Sequence, residues 1–100
     1  MDIIDRSAIT IRYKQPFIDW TNALTPELQM SDKVAQLATT YLVKGDFDDA
    51  DKCIKKYYKK IFEEELEGHW TDEEDWPQKR TFKIFNVWFS YGVSELVIDL

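Results

Sequence analysis

Two runs of carboxylates are the residues of this chain with the most obvious chemical potential. Glu63–Glu67 and Asp72–Asp75 are rich in acidic side chains, which serve proteins in general acid–base catalysis and in binding hard divalent cations. A metal or catalytic site needs ligands that converge from different elements, whereas these carboxylates follow one another locally. We interpret them as a solvated acidic segment and predict no metal site and no cofactor.

His69 and Cys53 are the other candidates for catalysis. His69 has the chemistry of a general base, but no Ser or Cys nucleophile accompanies it at a diagnostic spacing. Cys53 is the single cysteine, so an internal disulfide is excluded, and its place on an apolar helix face predicts a buried structural thiol. The three glycines are isolated and form no phosphate-binding loop. We predict no catalytic residue.

The chain also contains four tryptophans, and we expect them to divide between core and surface. Trp20 and Trp88 are expected in the core, since a tryptophan buries roughly 150–250 Å². Trp70 and Trp76 bracket the acidic TDEED segment and are expected to be partly exposed. Aromatic side chains beside charged groups are typical of protein-binding hot spots. The predicted partner-binding residues are Trp70, Asp72, Glu73, Asp75, Trp76 and Arg80.

A long helix at about 48–67 is the element that must position these segments. Its apolar positions follow helical spacing and fall on one face: Ala50, Cys53, Ile54, Tyr57, Tyr58 and Ile61. Gly45 with Asp46, Asp48 and Asp49 suits a turn and an N-cap. Leu66 falls on the opposite, lysine-bearing side, and Gly68 is a plausible end of the helix.

The lysine-bearing side of this helix raises the possibility of nucleic-acid binding. Its residues are Lys52, Lys55, Lys56, Lys59 and Lys60. No arginine lies among them and glutamates follow directly, so a solvated helix face is the better interpretation. We predict no nucleic-acid partner.

The remaining elements predict a small α+β domain. The alternation in 7–13 indicates a strand, and strands are also predicted at about 39–43 and 93–99. A short helix is expected near 16–24 and a second covering helix at about 78–90, its Phe82, Phe85, Trp88 and Phe89 facing inward. Gly92 is expected to break that helix, and Leu96, Ile98 and Leu100 to lie on one face of a paired terminal strand. Three short strands need helices across one face, so we predict a three-stranded sheet covered by the two longer helices.

One stretch allows an alternative fold. Val34, Leu37, Ala38 and Tyr41 keep helical spacing and, with the following helix, match the spacing of one tetratricopeptide-type repeat. A lone repeat cannot bury its own face, so the strand at 39–43 is preferred, with a single helical adaptor repeat as the alternative.

Composition limits the broad class. One hundred residues predict a single domain over 1–100, and a net charge of −6 disfavours nucleic acid and anionic membranes. The first residues, MDIIDR, lack the basic and apolar regions of a signal peptide. We expect a soluble cytoplasmic protein with no membrane partner.

The block Glu63–Pro77, EEEL-x-x-x-W-T-D-E-x-x-W-P, together with SAITIRYKQPFIDW and the closing LVIDL, resembles an uncharacterised family of short acidic bacterial proteins. The resemblance covers most of the chain. It implies a small α+β domain with an extended 39–43 segment, and it brings no activity or catalytic residue.

We therefore expect a protein–protein interaction or accessory domain that binds a basic protein surface, or a second copy of itself, through the acidic Trp70–Trp76 loop. The alternative is a small ligand-binding protein or enzyme with a cleft between sheet and helices. Its polar lining would come from Arg12, Lys14, His69 and Asp99. The residues favour the non-enzymatic reading.

Overall fold

The computed structural model describes residues 1–45 and 49–100, and it is a mixed α+β fold. The elements of these residues are β1 (Asp2–Ile4), β2 (Ser7–Tyr13), α1 (Gln15–Leu24), α2 (Asp32–Ala35), β3 (Ala38–Val43), α3 (Ala50–His69), a 3-10 turn (Glu73–Asp75), α4 (Phe82–Trp88), β4 (Phe89–Ser94) and β5 (Val97–Asp99). They form a three-stranded antiparallel sheet in the order β3-β2-β4, a two-stranded ribbon of β1 and β5, and four α-helices. The predicted fold class is confirmed.

β2 is the central strand of the sheet, and its alternating sequence gives the sheet two different faces. Ile9 lies opposite Tyr41 of β3 and Val93 of β4, and both Ile9 and Ile11 are fully buried. The intervening residues face the other way, where the hydroxyl groups of Thr10 and Thr40 are hydrogen-bonded at 2.8 Å. Period-two alternation thus directs one face of the sheet toward the helices.

Helix α3 covers the sheet with its apolar stripe. Asp49 is the N-cap, and its carboxylate accepts a hydrogen bond from the Lys52 amide at 2.8 Å. The predicted roles of Asp46 and Asp48 lie outside the described residues. The helix buries Cys53, Ile54, Ile61, Phe62, Glu65 and Leu66.

Three details of the predicted long helix are wrong. Leu66 was expected on the lysine side, yet it is fully buried, because it continues the stripe four residues after Phe62. Gly68 lies within the helix, which ends at His69, and the Trp70 amide still donates to the Leu66 carbonyl at 2.8 Å. Ala50, expected in the stripe, is exposed in the first turn.

The second covering helix is shorter than the predicted 78–90. Thr81 caps α4 by accepting from the Ile84 amide at 3.2 Å, and the helix ends at Trp88. Phe89 was expected in the helix, but it begins β4 and pairs with Tyr13. Gly92 lies inside β4 and does not break the helix. The alternation of Phe89, Tyr91 and Val93 toward the core makes pairing with β2 the better solution for this segment.

The predicted terminal strand at 93–99 is divided between two strands. β4 ends at Ser94, and after Glu95 and Leu96 the chain forms β5, which pairs with β1. Leu96, Ile98 and Leu100 were expected inside the sheet, but all three are exposed. The pairing of β5 with β1 therefore leaves these apolar side chains uncovered.

The tetratricopeptide alternative is wrong as well. Only Asp32–Ala35 is helical in that stretch, while Ala38–Val43 pairs along its whole length with β2. The β-branched and aromatic residues of this segment therefore follow their strand preference.

An aromatic cluster fills the layer between the sheet and the helices. Phe17, Phe62, Phe85 and Phe89 are fully buried, and the Phe17 ring stacks on Tyr13 with centroids 4.3 Å apart. Trp88, expected in the core, is half-buried at 5.7 Å from Phe62. These contacts join α1, α3 and α4 to the central strands.

Candidate functional site

The Trp70–Trp76 loop, proposed from sequence as a partner-binding site, is built around three indole hydrogen bonds. The Trp20 indole N–H donates to the Asp75 carbonyl at 2.8 Å. The Trp70 indole N–H donates to the Asp75 carboxylate at 2.9 Å, and that of Trp76 donates to the Trp70 carbonyl at 2.7 Å. Each tryptophan thereby combines an apolar body with one polar contact, and together they fix both ends of the loop.

Trp76 corrects one expectation about this loop. It was expected to be partly exposed beside Trp70, but only 7% of it is exposed and it belongs to the core cluster. Trp70 is half-buried, as expected, and so is Trp20, which was expected in the core. The two indoles that flank the acidic segment therefore serve first to anchor it.

Arg80 is close to the loop but is engaged with its own neighbourhood. Its guanidinium donates to the Pro77 carbonyl at 2.8 Å and lies 5.8 Å from the centre of the Trp76 ring. This geometry permits a cation–π contact. Arg80 thus packs over Trp76 and is half-buried.

Between the anchored ends lies a short acidic turn. Asp72 caps it by accepting from the Glu74 amide at 3.1 Å, and the Asp75 and Trp76 amides donate to the Asp72 and Glu73 carbonyls, each at 3.1 Å. The carboxylates of Asp72, Glu73, Glu74 and Asp75 are all exposed. The arrangement presents several negative charges to solvent on a backbone that its own hydrogen bonds hold in place.

A second polar cluster lies within the core, and the sequence analysis did not identify it. Glu65 of α3 is 6% exposed. It accepts a hydrogen bond from the Tyr13 hydroxyl at 2.6 Å and another from the Tyr41 hydroxyl. Glu65 lies four residues after Ile61, and this spacing places it on the apolar stripe. The sequence analysis overlooked that spacing because Glu65 lies among other glutamates.

Burial of the two tyrosines has electrostatic consequences. Desolvation raises the pKa of Tyr13 and the pKa of Tyr41 well above the usual 10.0, and the hydrogen bond to Glu65 raises each pKa further. The neutral hydroxyl groups can then donate to Glu65 across the whole neutral pH range. The cluster ties α3 to β2 and β3.

The residues predicted to line a cleft are not brought together. Arg12 is exposed, on the sheet face that points away from Ile9 and Ile11, and Asp99 is exposed in the ribbon. Lys14 donates to the Asn86 carbonyl at 2.7 Å, and His69 packs edge-on against Phe17 at 5.0 Å. The two grooves that His69 lines contain none of the other three side chains.

Within residues 1–45 and 49–100, no group of three His, Cys, Asp or Glu side chains is arranged to hold a metal ion. No helix in the described part is both long enough and apolar enough to cross a membrane.

Comparison of the chain with protein-family models, with curated proteins and with solved structures finds no match. The resemblance of the Glu63–Pro77 block to a bacterial family therefore remains an expectation from the sequence.

Proposed function

We propose that this chain is a protein-interaction domain that binds a basic protein surface through its acidic turn, residues 71–75. The observation that carries the proposal is the set of indole hydrogen bonds from Trp20, Trp70 and Trp76. A charged segment whose conformation is already fixed loses less entropy when it binds.

The charge of the turn supports a basic partner. The exposed carboxylates contribute to the chain's net charge of −6. A positively charged surface would therefore be attracted at long range, and its association would be faster at low salt. The carboxylates of Asp72 and Asp75 accept hydrogen bonds that hold the turn in shape. Glu73 and Glu74 are exposed, and within the described residues their carboxylates accept no bond of this kind. Glu73 and Glu74 are therefore the pair to change without disturbing the turn.

The test is affinity capture from a lysate of the source cells with the wild-type protein and two matched double variants. Glu73→Gln with Glu74→Gln removes two charges from the turn, while Glu63→Gln with Glu67→Gln removes two from exposed positions of α3. We expect the turn variant alone to lose its specific partners, and added salt to release them from the wild type.

An identical set of captured proteins for all three forms would overturn the proposal. Sedimentation at several protein concentrations tests whether the basic surface belongs to a second copy of the chain. Self-association that the turn variant alone abolishes would identify the partner as the chain itself.

A further inference from the structure

A groove is lined by the ends of helices α1 and α3 and by the loop between α1 and α2. Its volume is about 390 Å³, which is within the size range of small-molecule sites in proteins. Thr21 and Thr25 line it from the last turn and the C-cap of α1, and Gly68 and His69 line it from the last turn of α3. The rest of the lining is Leu28, Gln29, Met30, Ser31 and Val34.

Hydrogen bonds hold the loop wall of this groove in place. The Gln29 side-chain amide donates to the carbonyls of Asn22 and Thr25, at 3.0 and 3.2 Å. The Met30 amide donates to the side-chain oxygen of Asn22 at 2.8 Å. These bonds fix the loop against the end of α1. A ligand would therefore bind to a wall whose shape is already set, which lowers the entropy cost of binding.

Thr21 provides the groove with a hydroxyl group that has no partner. Only 7% of Thr21 is exposed, yet its hydroxyl group makes no hydrogen bond within residues 1–45 and 49–100. In the same residues, no fully buried side-chain oxygen or nitrogen lacks a partner. The Thr21 hydroxyl group must therefore keep some accessible surface, and the groove is a space that Thr21 lines.

His69 provides a second acceptor. Its Nδ1 lies 2.9 Å from the Glu65 carbonyl, which can only accept a hydrogen bond, so Nδ1 carries the proton. In the neutral ring, Nε2 is then an acceptor. No donor to Nε2 is found in the described part of the chain. The groove thus pairs two hydrogen-bond acceptors, a hydroxyl oxygen and an imidazole nitrogen, that a ligand with N–H groups would satisfy.

The helix ends favour a positive charge in the groove. The C-terminal end of an α-helix carries a partial negative charge, and both α1 and α3 end here. α2 begins next to the groove, but it has only four residues. Its N-cap Ser31 already accepts from the Val34 amide at 3.2 Å. The two longer helices therefore set the sign of the local field.

The charged side chains around the groove agree with that sign. The lining residues, all in the described part of the chain, include no Asp, Glu, Lys or Arg. Among the exposed residues next to them in sequence, Glu27, Asp32 and Glu67 are acidic and Lys33 is basic. An anion would therefore be disfavoured here relative to a cation.

The loop side of the groove also offers apolar surface. Leu28 is 76% exposed and Val34 is 49% exposed, and Met30 lies between them in sequence and lines the same groove. Covering these side chains removes apolar area from water, which is favourable. A ligand with an apolar body therefore gains more here than a simple inorganic cation.

We propose that this groove binds a small organic ammonium ion with an apolar body. Its N–H groups donate to the Thr21 hydroxyl oxygen and to Nε2 of His69, its charge lies at the ends of α1 and α3, and its apolar part covers Leu28 and Val34. The site is independent of the proposed interaction of the acidic turn, since no residue of 71–75 lines it.

The experiment is an amide NMR titration at low salt with three probes that share one hydrocarbon chain: hexylammonium, hexan-1-ol and hexanoate. Methylammonium tests the charge without the apolar body. We expect saturable shift changes at 21–34 and 66–70 with hexylammonium. Hexanoate should bind at least about tenfold more weakly, because its charge is repelled and it has no N–H donor.

Two pairs of variants test the named contacts. Thr21→Val removes the hydroxyl group and keeps the shape, and it should weaken hexylammonium binding about fivefold. Thr71→Val, at an exposed position outside the groove, should change binding less than about twofold. Leu28→Lys and Leu28→Glu remove the same apolar side chain at an exposed position, and the lysine variant should bind about threefold more weakly than the glutamate variant. Urea denaturation of each variant checks that the fold is retained.

Several results would overturn the proposal. They are equal binding of hexanoate and hexylammonium, equal binding of methylammonium and hexylammonium, and unchanged binding by Thr21→Val. Shift changes confined to 71–75, or loss of binding in the Glu73→Gln, Glu74→Gln variant, would assign the amine to the acidic turn instead. Because that double variant leaves the groove intact, the titration and the capture experiment can fail separately.

Discussion

The hydroxyl group of Tyr13 lies 2.6 Å from a carboxylate oxygen of Glu65, so the central strand and the long helix share a hydrogen bond inside the protein. Tyr41 of the edge strand donates to the other oxygen. A buried carboxylate needs such donors, since an unpaired polar group in the interior costs stability. The cluster therefore makes the position of α3 on the sheet dependent on three specific polar side chains.

Glu65→Ala should lower the free energy of unfolding by about 2–4 kcal/mol, because two part-buried hydroxyl groups lose their acceptor and a small cavity forms. Urea denaturation measures the effect. Glu63→Ala, at an exposed position of the same helix, should change stability by about 0.5 kcal/mol or less. Equal stability of the two variants would show that the Glu65 hydrogen bonds contribute nothing net.

Alkaline pH should destabilise the fold through the same cluster. In the folded state the pKa of Tyr13 and the pKa of Tyr41 are raised by burial and then by Glu65, while the unfolded value is near 10.0. Above that value the unfolded chain loses protons that the folded chain keeps. The stabilisation is thus complete below pH 10 and declines as pH rises further.

The measurement is the urea midpoint as pH rises from about 8 to 11. The double variant Tyr13→Phe with Tyr41→Phe should show a shallower decline than the wild type, although it starts from lower stability. Parallel declines would assign the alkaline effect to other groups.

Trp76→Phe should loosen the acidic turn. The substitution keeps an aromatic ring but removes the N–H that reaches the Trp70 carbonyl, so we expect a loss of about 1–3 kcal/mol. The Asp75 and Trp76 amides, which close the turn, should exchange with solvent faster. Trp70→Phe, which loses a bond to an exposed carboxylate, should cost less, and the reverse order would contradict this account.

Cys53 should be inert in the folded protein. Its side chain is fully buried in α3, and burial raises the pKa of the thiol. Because the thiolate is the reactive form, alkylation by iodoacetamide should proceed only when the chain unfolds. The labelling rate should therefore rise with urea in step with unfolding measured by circular dichroism. Fast labelling of the native protein would contradict the burial.

Elements with long, regular apolar periods were predictable from the sequence. β2 lies where the alternation of Ile9 and Ile11 places it, and most of α3 lies where the spacing of Ile54 and Ile61 places it. α1 lies close to the short helix predicted near 16–24. Phe89 was assigned to a helix because it continues the helical spacing of Phe82 and Phe85. Its pairing with Tyr13 is a contact between residues far apart in sequence, which local periodicity does not record.

The candidate site was predictable in position but not in detail. The acidic turn is exposed where the sequence placed it, yet the burial of Trp76 depends on packing against residues from other elements. Glu65 was missed because its residue type suggests solvent, while its spacing suggests core. Only the two tyrosine donors from β2 and β3 decide between these interpretations.

The place of β2 between β3 and β4 has a consequence for synthesis on the ribosome. Ile9 and Ile11 are synthesised well before the residues that they pair with in β4, which are Val93 and Tyr91. We expect the three-stranded sheet to stay incomplete until β4 has left the exit tunnel. During that interval this apolar strand would be available to chaperones.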